Sequence, residues 1–258
     1  MSPTCLNCST PLTREANFCI HCGQSANVHR LTLHDILHDT FHFFTHADKG
    51  FLQLLKALIL KNGQIARDYI EGKRKKYFPP INFYLIVAAI FVLVINLLIP
   101  HNRVQRDNHI SREIPENIYE VRRTEAVAFI NKYSNFVAMI AVPLITVIFR
   151  LFYWKGRFNY TEHLIANLYM NGFTNLVYVL LIVPLSILID VKNSYVSLGF
   201  LLLYQVAYDS IFYYRFMGRN SGWAYFKALM VSVTAVVFWF VLSGFLVGVY
   251  IATGFGVR

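Results

Sequence analysis

Four cysteines near the start of the chain have the spacing of a metal site. They form two C-x2-C pairs, Cys5 with Cys8 and Cys19 with Cys22, and ten residues separate the pairs. Two such pairs that close together supply the four thiolates of a tetrahedral structural zinc site. Because so short a segment cannot bury a core, bound metal would supply its folding free energy. The sequence therefore predicts a zinc ribbon over residues 1–28, with zinc as the cofactor and these cysteines as its ligands.

The alternatives to a structural zinc ribbon fit the four cysteines less well. A catalytic zinc keeps one coordination position open, which four thiolates would close. Two disulfides would require an oxidising compartment, and the polar first residues do not have the apolar stretch of a secretory signal. Four unrelated cysteines are the remaining alternative. Gly23 directly follows the second pair and suits a backbone conformation that other residues resist, and Ser9 holds the equivalent place after the first.

Four histidines spaced four residues apart are the second group that could perform chemistry. They are His34, His38, His42 and His46. At 100° per residue such histidines drift slowly across one side of a helix, next to a face of leucines and phenylalanines. The pattern predicts an amphipathic helix with a polar flank that lies on a membrane or on another helix. Two functional hypotheses stay open: a second metal site, or pH sensing by histidines that titrate near neutral pH.

The elements that must position these groups are strongly apolar. Hydrophobic residues make up 56% of the chain and charged residues 15%, whereas ~25% of residues are charged in soluble domains. An apolar run of about 20 residues crosses ~30 Å of hydrocarbon as a helix. The sequence therefore predicts an all-α multi-pass membrane bundle over residues 81–258, with about five transmembrane helices. Its predicted spans are residues 81–99, 135–153, 165–189, 196–214 and 228–251.

A basic step immediately precedes the first predicted span. It consists of Lys73, Arg74, Lys75 and Lys76. Lysine and arginine accumulate on the cytoplasmic side of membranes, so we expect the N-terminal module in the cytoplasm and the chain in the inner (cytoplasmic) membrane. The same four residues are candidates for contact with the membrane surface or with phosphate. The net charge of +10 is attributed mainly to such cytoplasmic segments.

Residues 29–80 are predicted to form cytoplasmic amphipathic or interfacial helices that lead into the basic step. The apolar run from Phe51 to Leu60 is too short to span a bilayer and too apolar to sit in water. Asn62-Gly63 is expected to end that helix, with the glycine as the left-handed stop. A second short helix is expected from Gln64 to Glu71.

Polar residues inside the predicted spans are candidates for function, because burying them in lipid is costly. Asp209 is the carboxylate that lies well inside a span, and Glu162 with His163 opens the third span. Asn167 and Asn171 follow His163 at i+4 and i+8, on one stripe of that helix. Under the predicted topology His163 and Asp209 would face each other in the inner half of the bundle. Two interpretations stay open: a polar cavity or ion path, and hydrogen bonds that hold helices together.

Three motifs of the chain together carry a family resemblance. The first is Phe18-Cys19-x-x-Cys22-Gly23-Gln24, and the third is Tyr160-x-Glu162-His163-Leu164. The second is Asn62-Gly63 followed by Arg67-Asp68-Tyr69-Ile70-Glu71-Gly72-Lys73-Arg74-x-x-Tyr77-x-x-Pro80. Together they resemble DUF3667, an uncharacterised bacterial family of zinc-ribbon, multi-pass membrane proteins. The resemblance implies membrane location and metal binding, and it implies no activity.

The sequence favours an accessory role over catalysis, since it contains no P-loop, G-x-S-x-G, H-E-x-x-H or dinucleotide fingerprint. The favoured hypothesis is a membrane-anchored accessory or regulatory protein whose ribbon recruits a protein partner or, with less support, nucleic acid. One version is a modulator of an RNA-targeting CRISPR effector. The alternatives are a channel or transporter that uses the polar residues, and a membrane-embedded enzyme built on His163 and Glu162.

Two further partners follow from the apolar part of the chain. The lipid bilayer is the first, because the predicted spans lie in it. A second copy of the chain is the other candidate. Gly244 and Gly248 lie one turn apart in the last predicted span, and such a pair of small residues lets another helix approach closely.

Overall fold

Helices make up most of the regular structure of the chain in its computed structural model. The structure describes residues 3–13, 15–37, 50–98, 121–123, 125, 140–188 and 194–253. The main helices are α1 Gly50–Leu60, α2 Gln64–Ile70, α3 Pro80–Leu98, α4 Ile140–Phe152, α5 Tyr160–Val177, α6 Ser194–Met217 and α7 Gly222–Thr253. Extended pairing within the described residues is limited to two isolated β-bridges in the cysteine segment. The predicted all-helical class is therefore confirmed for this part of the chain.

Two helical rods are long and apolar enough to cross a membrane by length and composition. They are Tyr160–Leu185, which begins with α5 and continues through a π-helical turn, and Gly222–Thr253, which is α7. Helices α3, α4 and α6 coincide with three further predicted spans, but they do not meet the same test over their described residues. Two candidate spans are therefore observed, and the number of five transmembrane helices stays a prediction.

Helix α5 begins five residues before the predicted span because its first turn carries a reciprocal cap. The Oδ1 of Asn159 accepts a hydrogen bond from the backbone N–H of Glu162 at 2.8 Å. The Oε2 of Glu162 accepts one in return from the backbone N–H of Asn159 at 2.6 Å. This capping box satisfies two backbone donors that would otherwise be unpaired at the helix start. The hydropathy pattern cannot locate such a start, since the capped turn is polar.

The turn between α1 and α2 corrects one prediction about its glycine. Asn62, and not Gly63, takes the left-handed conformation. The φ angle of Asn62 is 52°, whereas that of Gly63 is −58°. Asparagine tolerates this region because its short side chain bonds locally, and Oδ1 of Asn62 accepts the N–H of Gly63 at 2.7 Å. Gly63 is needed for another reason. A Cβ there would overlap the carbonyl oxygen of Phe212 and lie 2.8 Å from the backbone nitrogen of Phe216.

The close approach of Gly63 to α6 places α1 and α2 at one end of the bundle, packed against α5 and α6. Arg215 Nη1, near the end of α6, donates to the carbonyl oxygen of Leu60 at 3.2 Å. The guanidinium of Arg67 donates to the Arg215 carbonyl. The Tyr69 ring of α2 meets the Tyr169 ring of α5 edge-on, with centroids 6.0 Å apart. Both tyrosines belong to the same buried core, so the segment between residues 50 and 78 is part of the bundle's packing.

The cysteine segment lies over the same end of the bundle and is held there by polar contacts. The side-chain oxygen of Gln24 accepts the backbone N–H of Lys75 at 3.1 Å. Arg74 donates to the carbonyl oxygen of His29 at 2.8 Å. Arg30 reaches Glu162 at the start of α5. The chain from Gln24 to Arg30 thereby connects the cysteines to both the basic step and α5.

The predicted histidine helix falls only partly within the described residues. A helical turn occupies residues 33–37 and contains His34. Its start is capped by Asp35, whose Oδ2 accepts the backbone N–H of Thr32 at 2.8 Å and the Thr32 hydroxyl at 2.7 Å. These bonds lower the pKa of Asp35 to about 2. His38, His42 and His46 lie outside the described residues, so the metal and pH-sensing hypotheses stay predictions.

Candidate functional site

The four cysteine sulfurs lie close enough together to share one metal ion. All four Sγ atoms of Cys5, Cys8, Cys19 and Cys22 lie within 4.8 Å of one another. The Cys5–Cys22 and Cys8–Cys19 separations are both 3.6 Å. A tetrahedron with Zn–S arms of ~2.3 Å has edges of about 3.8 Å, whereas a disulfide requires ~2.05 Å. The separations therefore fit a shared metal ion, and the predicted ligand set is brought together.

The backbone builds this site from two turns of the same shape. After each cysteine pair one residue takes a left-handed conformation, Ser9 with φ of 61° and Gly23 with φ of 70°. The N–H of Ser9 donates to Cys5 O, and the N–H of Gly23 donates to Cys19 O, both at 2.8 Å. Isolated bridges close the two turns on their outer sides. The equivalence of Ser9 and Gly23 expected from the sequence is therefore observed.

The thiols of the site differ in their surroundings. A hydrogen bond from the Thr10 hydroxyl, at 3.1 Å, lowers the pKa of Cys8. Burial raises the pKa of Cys5. Metal binding needs all four thiols as thiolates, so it releases protons from those that are protonated, and the raised pKa of Cys5 makes it one of them. The buried side of the site is closed by Leu12.

Inside the bundle, a second polar group centres on a residue that the sequence patterns did not single out. The Tyr213 hydroxyl lies 3.2 Å from Nδ1 of His163 and accepts Nδ2 of Asn167 at 2.9 Å. Asn167 also donates to the His163 carbonyl, and Asn171 donates to the Asn167 carbonyl, both at 3.0 Å. The position of Tyr213, one turn after Asp209 on α6, is the signal that could have found it.

The predicted polar residues fall into three separate environments. His163, Asn167 and Asn171 form the group around Tyr213. Glu162 instead takes part in the capping box and accepts two hydrogen bonds from Arg30, so it is not available as a base for His163. Asp209 accepts the hydroxyl of Thr174 at 3.5 Å. The structure does not join His163 to Asp209, because the hydrogen bonds of the histidine go to α6 one turn further on.

Asp209 lines a cavity between the helices of the bundle. The cavity has a volume of 220 Å³. The carboxamides of Asn171, Asn175 and Gln205 provide its other polar groups, and all five helices from α3 to α7 contribute to its walls. Asn171 is therefore shared between the Tyr213 group and the cavity.

The basic step is largely engaged in internal contacts. Lys73 Nζ lies 2.9 Å from Oδ1 of Asp68, and the Tyr77 hydroxyl donates to Oδ2 at 2.9 Å. Burial raises the pKa of Asp68, but these two hydrogen bonds and the charge of Lys73 outweigh it and leave the pKa lowered. Lys76 lies 5.7 Å from the centre of the Tyr77 ring. With Arg74 bonded to His29, Lys75 has the most exposed side chain of the four.

The segment that builds this end of the bundle also matches a known family. Residues 48–92 match the model of a family described as "Protein of unknown function (DUF3667)". Neither the curated proteins nor the solved structures gave a match to the chain. The matched segment contains α1, α2, the basic step and most of α3, while the cysteines and the start of α5 lie outside it. The resemblance to the DUF3667 family is thus confirmed through residues 48–92, and over this segment the chain is similar to that family.

Proposed function

We propose that this chain is a membrane-anchored accessory protein of the inner (cytoplasmic) membrane whose cytoplasmic zinc ribbon recruits a protein partner. The observation that carries the proposal is the exposed apolar surface of the ribbon. Ile20, inside the second cysteine pair, is 94% exposed, and the adjacent Phe18 is 64% exposed. Apolar side chains held open to solvent by a rigid site favour contact with another protein.

The assignment of zinc rests on the donor set. Four thiolates in a tetrahedral arrangement suit zinc or iron. A closed set of four sulfurs leaves no position for a substrate, so the metal acts as a structural centre. The role of the metal is then to hold Phe18 and Ile20 in place. The ribbon would lose that surface together with its fold when the metal is removed.

The placement in the membrane rests on charge and aromatic residues at one end of the bundle. The loops between α4 and α5 and between α6 and α7 lie at the end that carries the ribbon, and they are basic. The cations in these loops and in the adjoining helix ends are Arg150, Lys155, Arg157, Arg215, Arg219 and Lys227. Trp154 and Trp223 are exposed beside them, as in an interfacial aromatic belt. This end would face the cytoplasm.

Contacts at the end of the bundle away from the ribbon support an odd number of spans. Arg122 donates to the carbonyl oxygens of Ile251 and Ala252, at 3.1 and 3.0 Å, so the segment before α4 meets the end of α7. With five spans and a cytoplasmic ribbon, both segments would lie on the side of the membrane opposite the cytoplasm. A cytoplasm-specific reporter fused before Thr4 should then be active, and a reporter active only outside should work after Arg258. A cytoplasmic C-terminus would require an even number of spans.

The choice of a protein over nucleic acid rests on the same surface. Nucleic acid would need free cations for its phosphates. Lys73 and Arg74 are engaged with Asp68 and His29, and the exposed ribbon residues Phe18 and Ile20 are apolar. The surface therefore suits an apolar protein patch better than a phosphate backbone.

Site-specific photo-crosslinking in intact cells tests the recruitment. A photoreactive phenylalanine analogue at Ile20 should give a crosslinked species that resists nuclease treatment. Phe18→Asp should abolish that species, since it places a charge in the apolar contact. Thr13→Asp is the matched control, because Thr13 is exposed on the same ribbon, and it should leave the species unchanged. Loss of the species on nuclease treatment, or equal yields from both charge variants, would contradict the proposal.

A further inference from the structure

The cavity beside Asp209 has no role in the proposed recruitment, and its chemistry indicates a ligand. It lies between helices, and its walls are mostly apolar with a few converging polar groups, as in small-molecule sites. Asp209 lies eight residues before the end of α6, or about 12 Å along the helix from the ribbon end. The cavity is therefore inside the bundle and separate from the metal centre.

Within the part of the chain that the structure describes, no cation pairs with the carboxylate in this cavity. Asp209 is buried, and its protein hydrogen bond is the long one from Thr174 at 3.5 Å. None of the ion pairs formed within the described part of the chain includes Asp209. An ionised carboxylate without a partner in such a place costs several kcal/mol. A positively charged ligand would pair with the ionised form and offset that cost, which makes Asp209 the natural anchor.

The size of the cavity can be compared with the sizes of known ligand sites. A water molecule needs only ~10–15 Å³ of such space, and a cavity of ~150 Å³ takes up benzene. Pockets for drug-sized ligands begin at ~300 Å³. A volume of 220 Å³ thus suits an organic molecule slightly larger than benzene.

The walls specify the kind of cation. Phe149 and Trp239 offer aromatic surface, while Asn171, Asn175 and Gln205 offer carboxamides. Mg²⁺ and Ca²⁺ take ~6–8 oxygen ligands, whereas the carboxylate and the three carboxamides can present only about four, so a bare metal ion would have to keep part of its water shell. An organic ammonium suits both parts, because its head can pair with the carboxylate and its carbon chain can cover the apolar walls. Aromatic faces also attract such a cation.

We propose that the cavity binds a small organic ammonium ion, with Asp209 as its counter-ion and the aromatic walls around its carbon chain. The carboxamides would accept the remaining N–H groups of the head. The site is independent of the ribbon, so loss of metal or of the recruited partner does not decide this proposal.

Binding can be measured on the purified full-length protein in detergent. The probe is butylammonium chloride, compared with neutral 1-butanol and with sodium chloride at equal ionic strength. Butylammonium should raise the unfolding temperature in a saturable way and change the fluorescence of Trp239, which lines the cavity. Asp209→Asn should weaken binding at least tenfold. Glu125→Gln is the charge-matched control, since Glu125 contacts Tyr250 near the end of α7, and it should bind as the unaltered protein does.

The comparison among probes keeps the proposal testable even if Asp209→Asn does not fold. In the unaltered protein, saturable stabilisation by butylammonium alone supports the ammonium site. Equal stabilisation by 1-butanol would show an apolar cavity only, and saturable stabilisation by sodium alone would show a metal-ion site. Either result overturns the proposal, as does the absence of any saturable response. Asn175→Leu, which fills the cavity without touching the carboxylate, should also weaken butylammonium binding.

Discussion

Arg30 and Glu162, 132 positions apart in the chain, form an ion pair with two parallel hydrogen bonds. Nε of Arg30 lies 2.9 Å from Oε1, and Nη2 lies 2.9 Å from Oε2. The Glu162 side chain is 5% exposed and that of Arg30 is 59% exposed. The same carboxylate accepts the backbone N–H of Asn159 in the capping box of α5. The side chain of Glu162 therefore fixes both the start of α5 and the position of the segment that connects the ribbon to the bundle.

Removing Arg30 should loosen the ribbon from the bundle. Arg30→Ala leaves the buried Glu162 without its cation, so we expect a loss of ~1–3 kcal/mol in unfolding free energy. Cleavage near Gln24 in limited proteolysis should become faster. Arg157→Ala is the matched control, since it breaks an exposed pair with Glu71 of 3.0 Å, and exposed pairs contribute ~0–1 kcal/mol. Equal effects of the two changes would contradict the role assigned to Glu162.

Replacing two cysteines should remove the metal. The purified protein should contain about one zinc per chain, and Cys19→Ser with Cys22→Ser should abolish it, because two ligands cannot complete the tetrahedron. Metal content by mass spectrometry checks this. His34→Ala is the control and should leave the zinc content unchanged. If zinc survives the cysteine changes, the histidines become the candidate ligands.

Gly63→Ala should be strongly destabilising although its backbone conformation suits any residue. The added Cβ would overlap the Phe212 carbonyl, and backbone atoms cannot move aside without separating α2 from α6. Overpacking of this kind costs ~1–3 kcal/mol or more. Gly244→Ala has open space around the new Cβ and should stabilise α7 by ~0.5–1 kcal/mol. Thermal unfolding in detergent compares the two, and a neutral Gly63→Ala would contradict the packing.

The contribution of Asp68 should disappear in acid. Its pKa is lowered in the folded state, so its stabilisation is present above the ordinary value of 3.8 and is lost as pH falls through the folded pKa. Asp68→Asn should therefore destabilise the protein at neutral pH, and the difference should shrink below about pH 3.8. Lys73→Met should reproduce part of the neutral-pH loss. A difference that does not change with pH would contradict the ionised Asp68.

A double-mutant cycle distinguishes the partners of His163. His163→Leu and Tyr213→Phe should show a coupling of ~0.5–2 kcal/mol in thermal unfolding, since their side chains are in contact. The effects of His163→Leu and Asp209→Asn on unfolding free energy should be nearly additive, because His163 and Asp209 share no hydrogen bond. Strong coupling in the second pair would instead support a continuous polar path through the bundle.

Local patterns in the sequence determined the parts of the protein that depend on near neighbours. The cysteine spacing predicts the metal centre because both pairs and their turns lie within 20 residues. Apolar runs predict helices, and α3, α5, α6 and α7 overlap the predicted spans. The similarity to DUF3667 also follows from local motifs. In each case the physical cause, a ligand turn or a run of side chains, is contained in one short segment.

Only the tertiary structure decided which groups meet across the bundle. Hydropathy gives the length of a helix but not the direction in which each polar side chain points. Glu162 therefore could be placed on α5 but not assigned to Arg30. The spacing of Tyr213 from Asp209 could mark this tyrosine, but it could not show that its hydroxyl meets His163 and Asn167. Position 63 requires glycine because the backbone of Phe212 lies against it, and the cavity beside Asp209 is lined by residues of five helices. These contacts join residues far apart in the chain, and packing alone determines them.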